Sequence, residues 1–326
     1  SCCSRKRRGT SWRPTCGARS VLETLAAGAA SELKFRDPAK AQALAKALER
    51  VCREIITAMG FDWTKGRMDV SAHPFTTNVA PSTARITNRY DIHNLSDALY
   101  SAIHEAGHAL YEQGIPSEWG WTPIGTSGGM ALHESQSRFW EVCIGRSMDF
   151  SRWCYGILKR EFPNTLKYVS AEDMYRAVNM ANVHYIRCDS DPLTYNLHIV
   201  LRYEMEKSLI SGELAVTDAP EAWNRLFEEF FGCKPPTDRE GILQDVHWAR
   251  GLFGYFPSYT MGNIIAEELY GAMQKELTQE YMGKCVKNGD FRDILNWLRT
   301  NVHRHGRQSG TTAIVEKAIG KPISAS

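Results

Sequence analysis

Residues 101–110 read Ser-Ala-Ile-His-Glu-Ala-Gly-His-Ala-Leu, and this stretch constrains the chain more than any other. Leu95, Leu99, Ile103, Ala106 and Leu110 recur at three- and four-residue steps, the period of a helix with one buried face. Asn94 suits the N-cap with Asp97 three residues on, and Gly114 and Pro116 mark the end. Within this helix His104, Glu105 and His108 form a His-Glu-x-x-His pentad. Histidines at i and i+4 share one face, where two imidazoles can bind one metal ion. The glutamate between them can act as general base on a metal-bound water.

A hydrolytic site of this kind keeps three protein ligands and an open position. Glu134 lies 26 positions after His108, behind a loop with Gly125, Gly128 and Gly129, a spacing that suits a returning helix. Glu141 is the rival, seven residues further and two turns along the same expected face. That helix is expected to run to about Met148.

Elsewhere the pattern is helical. Residues 38–60 have a core stripe of Ala41, Leu44, Leu48, Val51, Ile55 and Met59. Residues 151–185 read as helix interrupted at Pro163. Residues 193–211, 220–232, 262–281 and 290–303 follow as helices, the first with a stripe of Leu197, Val200, Leu201, Met205 and Leu209. Short alternating segments at 67–71 and 85–90, separated by Asn78, Pro81 and Ser82, read as a β-hairpin just before the pentad helix. His198 reads as structural, and His303-x-His305 as a surface pair near a helix end. Arg187 has a planar fork suited to a carboxylate, and Asp191 stands near enough in sequence to orient it.

Seven motifs stand in order along the chain. They are His73-Pro74-Phe75, Thr83-Ala84-Arg85-Ile86-Thr87, the pentad, His133-Glu134-Ser135-Gln136, Ile186-Arg187-Cys188-Asp189-Ser190-Asp191, Gln244-Asp245-Val246-His247-Trp248, and Gly254-Tyr255-Phe256-Pro257-Ser258-Tyr259. Together they make the chain resemble the thermostable (Taq-type) carboxypeptidase family of metallocarboxypeptidases, from about Leu33 to about Ile323. Two motifs depart from the family: Ser190 stands where it has alanine, and Thr83 stands where it has an acid, so Arg85 lacks that ionic partner.

The resemblance implies a mainly α, zincin-like protein with a small β-sheet beside the active-site cleft. It implies one divalent ion per chain, zinc or cobalt, held by His104, His108 and Glu134, with Glu105 as catalytic base. It also implies His73, Arg85, Arg187, His247, Tyr255 and Tyr259 as substrate-binding residues, peptides with a free C-terminal carboxylate as substrates, and a homodimer. Family members have a large helical region ahead of the matching part. Residues 1–30 are therefore expected to be a non-family, disordered tail, and residues 31–326 a catalytic region truncated at both ends. The alternatives are an inactive fragment that keeps its metal, or a zinc peptidase of other end-specificity.

Composition narrows the class. Six of the 39 basic side chains fall in residues 1–20, leaving 33 against 37 acidic ones in the remainder. A mildly acidic body argues against nucleic acid as partner. No apolar run reaches membrane-spanning length, so no membrane partner is expected. Nine scattered cysteines without a C-x-x-C point to reduced thiols and a cytoplasmic location.

Overall fold

The computed structural model describes residues 38–92 and 94–324; the tail expected over 1–30 lies outside them. The chain is helical with one three-stranded sheet. No helix among the described residues is long and apolar enough to cross a membrane. The cysteines among them are free thiols.

Helix α1 (Pro38–Ala58) buries Val51, Cys52, Ile55 and Ile56. Strands β1 (Gly66–Val70), β2 (Phe75–Thr77) and β3 (Ala84–Asn88) follow, in spatial order β1-β3-β2. The expected hairpin is corrected here. The segments at 67–71 and 85–90 do lie side by side, but β1 and β3 run parallel. The antiparallel partner of β3 is β2, which pairs Thr76 with Ile86 and Thr77 with Arg85. Alternation marks a strand without naming its partner. The short β2 becomes visible only once the chain turns after Pro81 and Ser82.

Helix α2 (Leu95–Gly114) begins as expected, with the Asn94 side chain accepting from the Asp97 N–H at 3.1 Å. It packs on the sheet through the buried residues Ala84, Ile86 and Asn88 of β3. Asn88 Nδ2 donates to the Ala98 carbonyl at 2.9 Å. Alternation then puts Arg85 and Thr87 on the sheet face away from α2.

Helix α3 (Met130–Arg138) does not continue to Met148 as an α-helix. It widens into a π-helical turn over Phe139–Ile144 and stops before Ser147, which caps α4 (Met148–Glu161). Helix α5 (Ala171–Val178) starts on a capping box of Ser170 and Asp173, so the pause at Pro163 is a loop several residues long. Next come α6 (Tyr195–Ser211), α7 (Ala219–Phe231), α8 (Pro257–Leu277), α9 (Gln279–Lys287), α10 (Arg292–Asn301) and α11 (Thr311–Ile319). Thr278 at φ 59° separates α8 from α9, so the expected helix 262–281 is two helices.

Two departures concern burial. On α6, Leu197 and Val200 of the expected stripe are exposed, while His198, Arg202 and Glu206 are buried. His303 is not at the surface: it is fully buried, with Nε2 2.9 Å from Gln136 Oε1.

One large apolar core joins α1, the sheet, α2, α3, α4 and α8–α11. Two smaller clusters stand apart from it. Leu201, Met205, Trp223 and Phe227 pack between α6 and α7, and Tyr195 and Ile199 pack on Phe256. Helix α3 is held between α2 and α8 at backbone distance. A Cβ on Gly107 would sit 2.6 Å from the Gln136 carbonyl oxygen and 2.7 Å from Ser137 Cα. A Cβ on Gly262 of α8 would sit 2.6 Å from Glu134 Cγ.

This contact generates a contrast. Gly107→Ala should cost about 1–3 kcal/mol by overpacking. Gly271→Ala, in α8 with nothing near its Cβ, should instead gain up to about 1 kcal/mol of helix propensity. Urea titrations with an unchanged m-value check both signs.

Candidate active site

The helix period sets His104 and His108 one turn apart, with ring centroids 4.9 Å apart. Each ring is anchored through Nδ1. His104 Nδ1 lies 2.9 Å from Glu141 Oε2. His108 Nδ1 lies 3.1 Å from the His133 carbonyl oxygen and 2.7 Å from His133 Nδ1. With Nδ1 engaged, each ring turns Nε2 outward. His108 Nε2 is 3.5 Å from Glu134 Oε2. One donor atom each from His104, His108 and Glu134 lies within 4.8 Å of the other two.

Glu141, the rival third ligand, stands behind His104 instead. The π-helical turn begins between the two glutamates, so their seven-residue spacing no longer repeats one α-helical face. Arg138 Nη1 donates to Glu141 at 2.9 Å, and Arg146 lies 3.6 Å away. Burial opposes ionisation of Glu141, but Arg138 and the His104 hydrogen bond outweigh it and hold the carboxyl far below its ordinary range. Burial likewise opposes a charge on His104, yet the Glu141 hydrogen bond and the charges of Glu134, Glu141 and Glu105 raise it to about 9. Burial, with the charges of His133 and His104, pushes His108 well down. Burial raises Glu134. Two outward imidazole nitrogens and a desolvated carboxylate, with the imidazoles backed by acceptors, fit a divalent ion of borderline softness.

Glu105 is buried beside this triad, and Thr76 Oγ1 donates to its Oε2 at 2.6 Å. The sequence reading passed over Thr76, although it directly follows His73-Pro74-Phe75.

Arg187 lies on a 3₁₀ turn and is buried. Its Nε and Nη2 donate to Asp245 Oδ1 at 3.1 and 2.8 Å, and its Nη1 to the Tyr195 hydroxyl at 3.0 Å. Asp191 does not orient it. That carboxylate accepts from the N–H groups of Asn182, Leu193 and Thr194 and from the Thr194 hydroxyl, which shapes the turn into α6. The orienting acid is Asp245, shared with Arg202 Nε at 2.7 Å. Burial would raise Asp245, but Arg187 and Arg202 hold it below its ordinary value. Glu206, one turn beyond Arg202, accepts from Trp248 Nε1 at 2.8 Å and from the Gly254 N–H at 2.9 Å, pinning the loop between the last two motifs.

His247 Nε2 lies 2.9 Å from the Tyr259 hydroxyl, and the Tyr255 and Tyr259 rings are 5.3 Å apart. The Arg187 guanidinium carbon is 4.8 Å from the Tyr259 ring centre. Burial raises both phenols, and the charge of Glu134 adds to it. The tyrosines therefore lie within the electrostatic reach of the histidine–glutamate triad. His73 and Arg85 are exposed. Thr83, at the family's acid position, spends its hydrogen bonds on Ala80.

Known proteins resemble this chain over most of its length. A family profile, carboxypeptidase Taq (M32) metallopeptidase, matches residues 19–326. Carboxypeptidase 1 of Bacillus subtilis is 40% identical over 266 residues, which is 82% of this chain and 53% of that protein. Thermostable carboxypeptidase 1 of Thermus thermophilus is 40% identical over 86% of this chain and 54% of its own length. Among solved structures, the M32 carboxypeptidase of Deinococcus radiodurans superposes with a TM-score of 0.83 at 38% identity, covering 94% of this chain and 62% of that one. Pyrococcus furiosus carboxypeptidase superposes with a TM-score of 0.83 at 36% identity over the same shares. The chain spans about half the length of the curated relatives it matches. On motif order, helical fold and the closely grouped histidines and glutamate, the chain belongs to the carboxypeptidase Taq (M32) metallopeptidase family.

Proposed function

We propose that this chain is a metal-dependent carboxypeptidase that removes single amino acids from the free C-terminus of peptides. The observation that carries the reading is the convergence of His104, His108 and Glu134 beside a buried Glu105. These three residues would hold one divalent ion, zinc or cobalt. Bound there, the ion supplies Lewis acidity to the scissile carbonyl and to the attacking water.

The chain's own groups do the rest. Glu105 takes the proton of the attacking water. Thr76 ties up Oε2 and leaves the other carboxylate oxygen for that transfer. His247, Tyr255 and Tyr259 offer hydrogen-bond donors where negative charge develops. Arg187 recognises the terminal carboxylate. Of the five N–H groups of a guanidinium, three are committed to Asp245 and Tyr195, which leaves two to bind substrate. Anchoring the terminus fixes which peptide bond meets Glu105. His73, exposed on the loop after β1, and Arg85, on the face of β3 turned from α2, are the further substrate contacts that the family resemblance implies. The reading includes the homodimer that the family resemblance implies and the cytoplasmic location to which the scattered cysteines point.

A second reading is a metal-binding chain without activity. Release of free amino acid from a peptide acid, set beside the same peptide amidated and with or without zinc, separates the two. Metal-dependent release from the acid alone supports the enzyme. Bound metal without release supports the second reading.

Two variants sharpen the test. Glu105→Gln should keep its metal content by elemental analysis and lose about 10²–10⁴-fold in turnover. Asp245→Asn strands two buried guanidiniums and should cost about 3–5 kcal/mol in thermal or urea unfolding.

A further inference from the structure

His133 is ring-to-ring with one of the proposed ligands, and no role is assigned to its side chain in the proposed mechanism. Its Nδ1 is 2.7 Å from His108 Nδ1, and its Nε2 is 2.9 Å from Glu112 Oε1. The other oxygen of Glu112 accepts from Asn78 Nδ2 at 3.0 Å. Glu112 lies on α2, one turn beyond His108. The chain of contacts therefore runs from β2's end through α2 and α3 and back to a ligand.

Two nitrogens at 2.7 Å must share one proton, so one ring donates and the other accepts. If His108 uses Nε2 as a ligand, its own proton sits on Nδ1. His133 Nδ1 must then accept, alongside the His133 carbonyl that shares the same N–H. The His133 proton is forced onto Nε2, facing a carboxylate that can only accept. Every donor in the series Asn78, Glu112, His133, His108 then meets an acceptor. The opposite arrangement fails at two points. In a neutral ring, a proton on His133 Nδ1 would leave its bare Nε2 against Glu112. It would also move the His108 proton to Nε2, where it blocks the lone pair.

We propose that Glu112 and His133 are positioning residues that fix the tautomer of His108, so that its Nε2 lone pair is presented to the metal. The inference rests on the metal-site reading above. The two histidines differ in support: His104 is backed directly by the carboxylate of Glu141, and His108 reaches a carboxylate only through the His133 ring.

Zinc affinity of the full chain, measured by competition with a chromogenic chelator, tests it without any assay of turnover. His133→Phe keeps the ring volume and removes the acceptor. His133→Asn is smaller but places an amide oxygen close to where Nδ1 stood. The proposal expects His133→Phe to bind zinc about 10–100-fold more weakly, and His133→Asn to keep most of the affinity. Glu112→Gln should weaken binding by itself and add nothing in the His133→Phe background. A packing role for His133 gives the reverse order, with Phe better than Asn, and that order overturns the proposal, as does a Phe variant with parental affinity. If His133→Phe does not fold, Glu112→Gln decides, and unchanged affinity there overturns it. A parent chain that binds no zinc overturns the metal reading itself, and this inference with it.

Discussion

Helices α2 and α3 touch backbone to backbone at Gly107, where no side chain larger than hydrogen fits against Gln136 and Ser137. The proposed ligands come from these two helices, so the distance between them sets whether one donor set forms. On its other side α3 meets α8, where Gly262 leaves room for the stem of Glu134. A glycine in mid-helix costs helix stability relative to alanine. Here that cost is offset by an approach that places a carboxylate 3.5 Å from an imidazole of the facing helix.

Around this contact the buried charges are arranged in sets. Glu141 answers His104, Arg138 and Arg146, while Asp245 answers Arg187 and Arg202. Buried ion pairs rarely add net stability over apolar packing, but removing one partner is costly. Their effect is to allow few alternative geometries. Arg138 shows this most clearly: it pairs with Glu141 and also donates to Asn263 Oδ1 at 2.6 Å, tying α3 to α8 beside Gly262.

Local order was legible in the sequence and pairing across distance was not. The pentad helix followed from the period of Leu95, Leu99, Ile103, Ala106 and Leu110, and Asn94 capped it as expected. The spacing and motif of Glu134 anticipated its place beside His108. The partner of Arg187 was misassigned because Asp191 is near in sequence, whereas Asp245 lies 58 residues away. The same blindness made His303 a surface residue, since its partner Gln136 is 167 positions off. On α6, apolar periodicity chose Leu197 and Val200 over Arg202 and Glu206, because a buried charge is recognised only through its partners. The hairpin failed for a related reason: two good strand patterns do not say that a third, three residues long, lies between them in the chain.

The two halves of the candidate site rest on different foundations. The histidines and Glu134 belong to elements of the large core, while Arg187, Asp245 and His247 stand over the small clusters of α6, α7 and Phe256. Regions that bury less apolar surface open at lower free energy than the body they adjoin. Cooperativity is thus divided between the two halves, and amide exchange around Asp245 should run faster than in α2. If the proposed function holds, warming this protein should separate two properties that are usually lost together, with selectivity for a chain end fading before the grip on an ion.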